Sequence, residues 1–227
     1  MAALARGVAD LRNSGLNPAM LEAMDGKTVL ALDELEHTSY SKSESSSLLL
    51  FSFDGASEIE EKEAQKILEK HDAWGIQVTD DPDEIASLIK LRQDMLPAVF
   101  SKSKYHIMED MAVPLSKLAE MADYITEVGE ELGVDIYTAG HAGDGNLHPS
   151  LLWNEQEEAP QVVIEATRRL FHKALDLGGT ISGEHAVGMA KNQWNNVELG
   201  GTVDRLQHQL KNLFDPMNIM NPKRKIN

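Results

Sequence analysis

Cysteine is absent from the 227 residues. That excludes disulfides, thiolate metal ligands, iron–sulfur clusters held by this chain and a cysteine nucleophile. Positive charge is scarce: 21 Lys and Arg stand against 37 Asp and Glu, a net charge of −16. Phosphates would be repelled over most of such a surface, which argues against nucleic acid or an anionic membrane as the main partner. Aromatic residues make up only 5%. Long apolar runs are missing as well. The most apolar stretch, Leu48-Leu49-Leu50-Phe51, falls far short of the roughly 20 residues that cross a bilayer, so no transmembrane segment is expected. The opening MAALARGVAD lacks the apolar core of a signal peptide, and a cytoplasmic location is the default expectation. What is present is an ordinary globular share of apolar residues, 42%, enough for one core or two small ones.

Apolar spacing and turn residues suggest the elements. Ala2, Ala3, Leu4, Val8 and Leu11 fall roughly on one helical face, and the pattern breaks at Asn13-Ser14-Gly15. Pro18 suits the first turn of a further helix capped by Asn17. The serine-rich stretch 38–47 reads as a surface loop. LLLFSFDG reads as a buried strand ending in a turn, and Ser57 and Glu60 have capping-box spacing for a helix to about His71. Residues 75–81 alternate and predict a second strand, followed by a helix from Pro82 to Pro97. Residues 105–114 predict a third strand, and 114–133 a strongly amphipathic helix closed by Gly133. Residues 134–140 predict a fourth strand, running through a glycine turn into the strand LHPSLLW. Helices follow at 158–177 and about 202–214. This order predicts an α+β fold: a ferredoxin-like, mostly antiparallel sheet with helices on one face and a helical C-terminal extension.

Two segments could carry chemistry. In Gly140-His141-Ala142-Gly143-Asp144-Gly145-Asn146-Leu147-His148-Pro149, glycines force a tight backbone path with a histidine on either side. Neutral imidazoles brought together by such a turn suit a divalent metal. The plainer alternative is two turn histidines on a β-hairpin. The glycines fit neither the dinucleotide fingerprint nor the P-loop. The second segment is Gly178-Gly179-Thr180-Ile181-Ser182-Gly183-Glu184-His185-Ala186-Val187-Gly188. In extended backbone Glu184 and His185 point to opposite faces, one toward a metal and the other toward a substrate. One carboxylate and two imidazoles make a three-ligand set with open positions, and a nearby histidine can act as a general base. The alternative is a surface Glu-His pair in a glycine loop.

Together the two segments resemble the C-terminal domain of the FAD-linked oxidases of the vanillyl-alcohol oxidase superfamily. The nearest branch is that of D-lactate dehydrogenase, D-2-hydroxyglutarate dehydrogenase and the glycolate oxidases. GHAGDGNLHP and GGTISGEHAVG match in order, as do Glu109-Asp110 with Val113-Pro114, Phe214-Asp215-Pro216 with Asn221-Pro222, and the opening PAMLEAMDGKTV. The resemblance implies a divalent metal, with zinc the expected ion, on His141, His148 and Glu184. It implies His185 as the base that takes the substrate hydroxyl proton, and hydride transfer to FAD. It implies Arg92 as a substrate-carboxylate ligand, with a solvated helix charge as the alternative. It places Asn146 and Asn221 toward the flavin, with turn capping as the alternative. The substrate would be a small 2-hydroxy acid. Departures from the pattern at Ser150, at Met108, and at Lys223 after Asn221-Pro222 bear on substrate identity more than on reaction class.

No flavin-binding half is recognisable in the sequence. Residues 1–25 are accordingly expected to be a linker helix from an absent flavin domain, and 26–227 the substrate and metal domain. This half would be inactive without an FAD-binding domain or subunit, and its open face would meet that partner or a second copy in a homo-oligomer. The competing expectation is a non-catalytic metal-binding, ligand-binding or assembly module. A flavin-free metal hydrolase has no nucleophile motif to support it. Trp74, Trp153 and Trp194 are expected to pack rather than to stack a ligand. Lys191 is a further candidate for an anionic ligand.

Overall fold

The computed structural model describes residues 1–55 and 57–226. Its elements in chain order are α1 (Ala2–Asn13), β1 (Met20–Met24), α2 (Gly26–Glu36), β2 (Leu48–Ser52), α3 (Glu58–Glu69), α4 (Pro82–Phe100), β3 (Tyr105–Met108), β4 (Met111–Ala112), α5 (Leu118–Leu132), β5 (Asp135–His141), β6 (Asn146–Trp153), α6 (Gln161–Asp176) and α7 (Asn192–Phe214). The strands form one open sheet in the order β2-β1-β5-β6-β3, with β4 also paired to β6. Each pairing is antiparallel. This is the antiparallel α+β architecture expected from the sequence. None of the described helices is long and apolar enough to cross a membrane.

Strand alternation divides the core in two. Leu21, Ala23, Ile136, Leu147 and Leu151 face α1, α5 and α6, where Val8, Leu11, Met121, Ile125, Leu170 and Phe171 complete the larger cluster. Met24 and Ala139 point the other way, into a smaller cluster with Val29 and Leu32 of α2 and Leu91 and Ala98 of α4. The helices expected on one face are thus joined by a second pair on the other. Asp25 fastens α2 to β5. Its carboxylate accepts from the Thr28 backbone N–H to cap α2 and from the Thr138 N–H of β5, each at 2.8 Å. Beyond α2 and α4 the same sheet face turns polar. Glu22 stands opposite His141, and His148 stands opposite Ala139.

Several elements differ from the sequence expectation. MLEAM is a strand, not the helix that Pro18 suggested, because β2 and β5 hydrogen-bond it on both edges. Residues 75–81 contain no strand. They have no partner edge and lead to Asp81, whose side chain caps α4. α4 runs on through Pro97 to Phe100. The single strand expected over 105–114 is broken at Glu109-Asp110, both buried. α7 starts ten residues earlier than expected and breaks at Gly200, where φ is 67°. The capping box of Ser57 and Glu60 is present, and Trp194 packs edge-on against Phe171 at 5.6 Å.

Leu151 is fully buried at the centre of the larger cluster. Leu151→Ala is expected to cost about 3 kcal/mol, seen as a lower urea midpoint with an unchanged slope.

Candidate metal and substrate site

The β5–β6 hairpin brings its two histidines together. Gly145 makes the turn at φ +83°, where a Cβ would lie 2.0 Å from the Val113 carbonyl oxygen, so only glycine fits. The rings of His141 and His148 meet edge-on with centroids 5.4 Å apart. His185 stacks on His148 at 4.9 Å. Glu184 completes the group: its Oε1 lies 3.2 Å from His141 Nε2 and 3.3 Å from His148 Nε2.

These spacings suit a metal. Ligand bonds of roughly 2.1 Å around a tetrahedral ion put neighbouring donor atoms about 3.4 Å apart. A second group, Asp110, His148 and His185, also brings its donors close together. Asp110 has little capacity left for an ion, however. Its Oδ2 accepts from the Glu184 N–H at 2.9 Å, the His185 N–H at 2.8 Å and the Ser182 hydroxyl at 3.3 Å, and its Oδ1 accepts from Asn146 Nδ2 at 2.8 Å. That occupies about four lone-pair positions, a carboxylate's whole complement. His141, His148 and Glu184 are therefore the better ligand set, and Asp110 braces the loop that carries Glu184.

Charge follows from these contacts. Burial pushes the Asp110 carboxyl up, but its hydrogen bonds with Asn146, His185 and Glu184 outweigh this and hold it below the usual carboxylate range. Burial also works against Glu22, which is nonetheless held low by His141 and Arg92. Glu22 Oε1 lies 2.7 Å from His141 Nδ1, and Arg92 Nε lies 3.2 Å from Glu22 Oε2. The Glu22 hydrogen bond, opposed by burial and aided by Glu184, raises His141 to about 9. His148 moves the other way: burial and the neighbouring imidazoles outweigh the acidic groups and keep it neutral, ready to ligate.

The residues singled out in the sequence fall into three groups. His141, His148, Glu184 and His185 form one cluster, and Arg92 reaches it through Glu22. Asn146 lies behind the cluster, buried, with its amide donating to Asp110 Oδ1 and the Met111 carbonyl. A Cβ on Gly183 would approach that amide to 2.2 Å, which explains the glycine. Asn221 lies in the tail at φ 48°. It lines a cavity of about 350 Å³ with Phe214, Met220 and Arg224, and none of the three histidines is in its walls. Lys191 does not face a ligand. It is buried and donates to the carbonyls of Asp110 at 2.9 Å and Ile181 at 2.7 Å, with Glu109 at 3.3 Å. Sequence reasoning missed Glu22 and the bracing role of Asp110. Two adjacent carboxylates, Glu109 and Asp110, inside an otherwise mostly apolar expected strand were the available signal for the latter.

Residues 1–224 match the family described as FAD linked oxidases, C-terminal domain, and the chain belongs to that family. It is 34% identical to the glycolate oxidase subunit GlcD of Bacillus subtilis over 97% of its length and 47% of the relative's. It is also 34% identical to a D-lactate dehydrogenase of Archaeoglobus fulgidus, over 90% of its length and 45% of that protein. The chain thus spans about half the length of the curated relatives it matches. In fold it resembles p-cresol methylhydroxylase with substrate bound, at a TM-score of 0.64 and 13% identity, over 99% of this chain and 50% of that one.

A metal that binds His141 Nε2 must displace the proton held there below pH 9. Titration of the metal-free chain with cobalt(II) should therefore show affinity rising about tenfold per pH unit from 7 toward 9. A flat profile would remove His141 from the ligand set.

Proposed function

We propose that this chain is the substrate- and metal-binding half of an FAD-dependent 2-hydroxy-acid dehydrogenase or oxidase of the glycolate or D-lactate type. The observation that carries the reading is the convergence of His141 and His148 on Glu184, with His185 stacked beside them. It occurs in a chain whose relatives include a glycolate oxidase subunit and D-lactate dehydrogenases. The metal, zinc by expectation, would sit on His141, His148 and Glu184 and polarise the substrate's hydroxyl and carboxylate oxygens, while the flavin would accept the hydride.

The chain's own residues supply the rest. Arg92 sets its Nε against Glu22 Oε2 in an ionic contact, which leaves two terminal amino groups to clasp the substrate carboxylate. His185 is partly exposed and its Nε2 lies 3.8 Å from Glu184 Oε1, on the ligand side of the cluster. There it takes the hydroxyl proton as the α-hydrogen leaves with its electron pair, giving the 2-oxo acid. Asp110 keeps His185 and Glu184 in place through their backbone N–H groups.

The half that completes the enzyme is an FAD-binding domain or subunit. The length of the relatives beyond the matched region supports this. So does the apolar surface of the C-terminal helix and tail, where Leu210, Leu213, Phe214, Met217 and Ile219 are 56–77% exposed. Asn221 lies at the end of that surface and would meet the flavin side through it, whereas Asn146 acts from behind the metal site.

The chain alone should not turn over glycolate or D-lactate with an artificial electron acceptor. In the enzyme assembled with its flavin half, His185→Ala should lower kcat by about 100-fold or more with flavin and metal content unchanged. Turnover at the unsubstituted rate would reject the base.

A further inference from the structure

We propose that Glu22 is a positioning residue that holds the metal ligand His141 and the arginine Arg92 with its two separate oxygens, tying the aim of one to the other. The inference rests on the functional reading above, which assigns the metal and the substrate but gives Glu22 no role.

Glu22 enters the site through the sheet register. β1 pairs with β5 so that Glu22 stands directly across from His141, and its side chain shares the polar face. It is buried, at 9% exposure. A buried carboxylate needs partners for both oxygens, and here they are different molecular parts. Oε1 takes His141 Nδ1 at 2.7 Å, while Oε2 faces Arg92 Nε at 3.2 Å. The first contact keeps a proton on Nδ1, so that once a metal displaces the Nε2 proton the lone pair freed there points to the side of Glu184 and His148. A carboxylate behind a ligating histidine sets the tautomer and strengthens the ligand. The second contact is ionic and not an aligned hydrogen bond, since Arg92 Nε has no hydrogen-bond partner among the described residues. It holds the guanidinium by its inner nitrogen and uses neither terminal amino group.

Only a carboxylate does both. A glutamine in its place offers one acceptor oxygen and turns an N–H toward one of two groups that are themselves donors. A neutral residue at 22 would also leave Arg92 without the anion that faces it. A strand residue that merely filled space would show neither effect.

The test uses this chain, cobalt(II) alone as the metal probe, and then glycolate or D-lactate added to the loaded chain. Glu22→Gln should keep the circular dichroism of the unsubstituted chain. It should weaken cobalt binding about 10- to 100-fold, change the visible cobalt spectrum, and weaken the hydroxy acid to the level seen with Arg92→Gln. Arg92→Gln should leave cobalt binding and its spectrum in place. If the unsubstituted chain binds cobalt and Glu22→Gln matches it in affinity and spectrum, the inference on Glu22 is overturned while the functional reading stands. If the unsubstituted chain binds no cobalt, both fall. Should Glu22→Gln fail to fold, nitrogen-15 NMR of the zinc-loaded unsubstituted chain decides. A proton on His141 Nδ1 supports the inference, and a metal bond at that nitrogen overturns it.

Discussion

A single buried carboxylate holds this site together. Asp110 accepts the backbone N–H groups of Glu184 and His185, the hydroxyl of Ser182 and the amide of Asn146. Without it, the 183–188 loop would lose the two backbone hydrogen bonds that hold Glu184 and His185 against the hairpin carrying His141 and His148. Bonds to an ionised acceptor are about twice as strong as neutral ones, and four of them compensate for taking the charge out of water. The fit is tight enough that Gly183 cannot carry a side chain. Lys191 adds a second fastening by donating to the carbonyls on either side of the same junction.

Around that anchor the charges are ordered by depth. Asp110 is fully buried and Glu22 nearly so, while the Glu184 side chain is 54% exposed and free to move onto an ion. His148, touched by both other imidazoles, is shifted toward its neutral form, whereas His141 carries a proton that a metal would replace. Rigid acids lie behind and an adaptable one in front, so the inner geometry is set before an ion arrives.

Much of this was legible in the sequence, because it depends on near neighbours. The amphipathic pattern of α5 and the Ser57–Glu60 capping box are local, and both elements form where expected. The glycine motifs marked His141, His148, Glu184 and His185, since glycines so placed imply backbone that L residues cannot follow. What stayed hidden depends on distant partners. MLEAM contains good helix formers and becomes a strand only because two edges meet it. Glu22 therefore reads as a helix surface charge. GIQVTDD has the alternation of a strand but no edge to join. Arg92 was visible as a candidate, but its hold on Glu22 was not. Lys191 looked like an anion ligand because sequence alone does not show a lysine turned inward onto carbonyls.

The register of β1 against β5 joins residues 119 positions apart, Glu22 and His141. Pairings of that span close late and slowly. During synthesis β1 can pair early with β2, but its other edge must wait for β5, and Glu184 comes later still. A half-made chain therefore has the imidazoles but not the assembled cluster of His141, His148 and Glu184, and an ion held by that cluster would report a topology already closed.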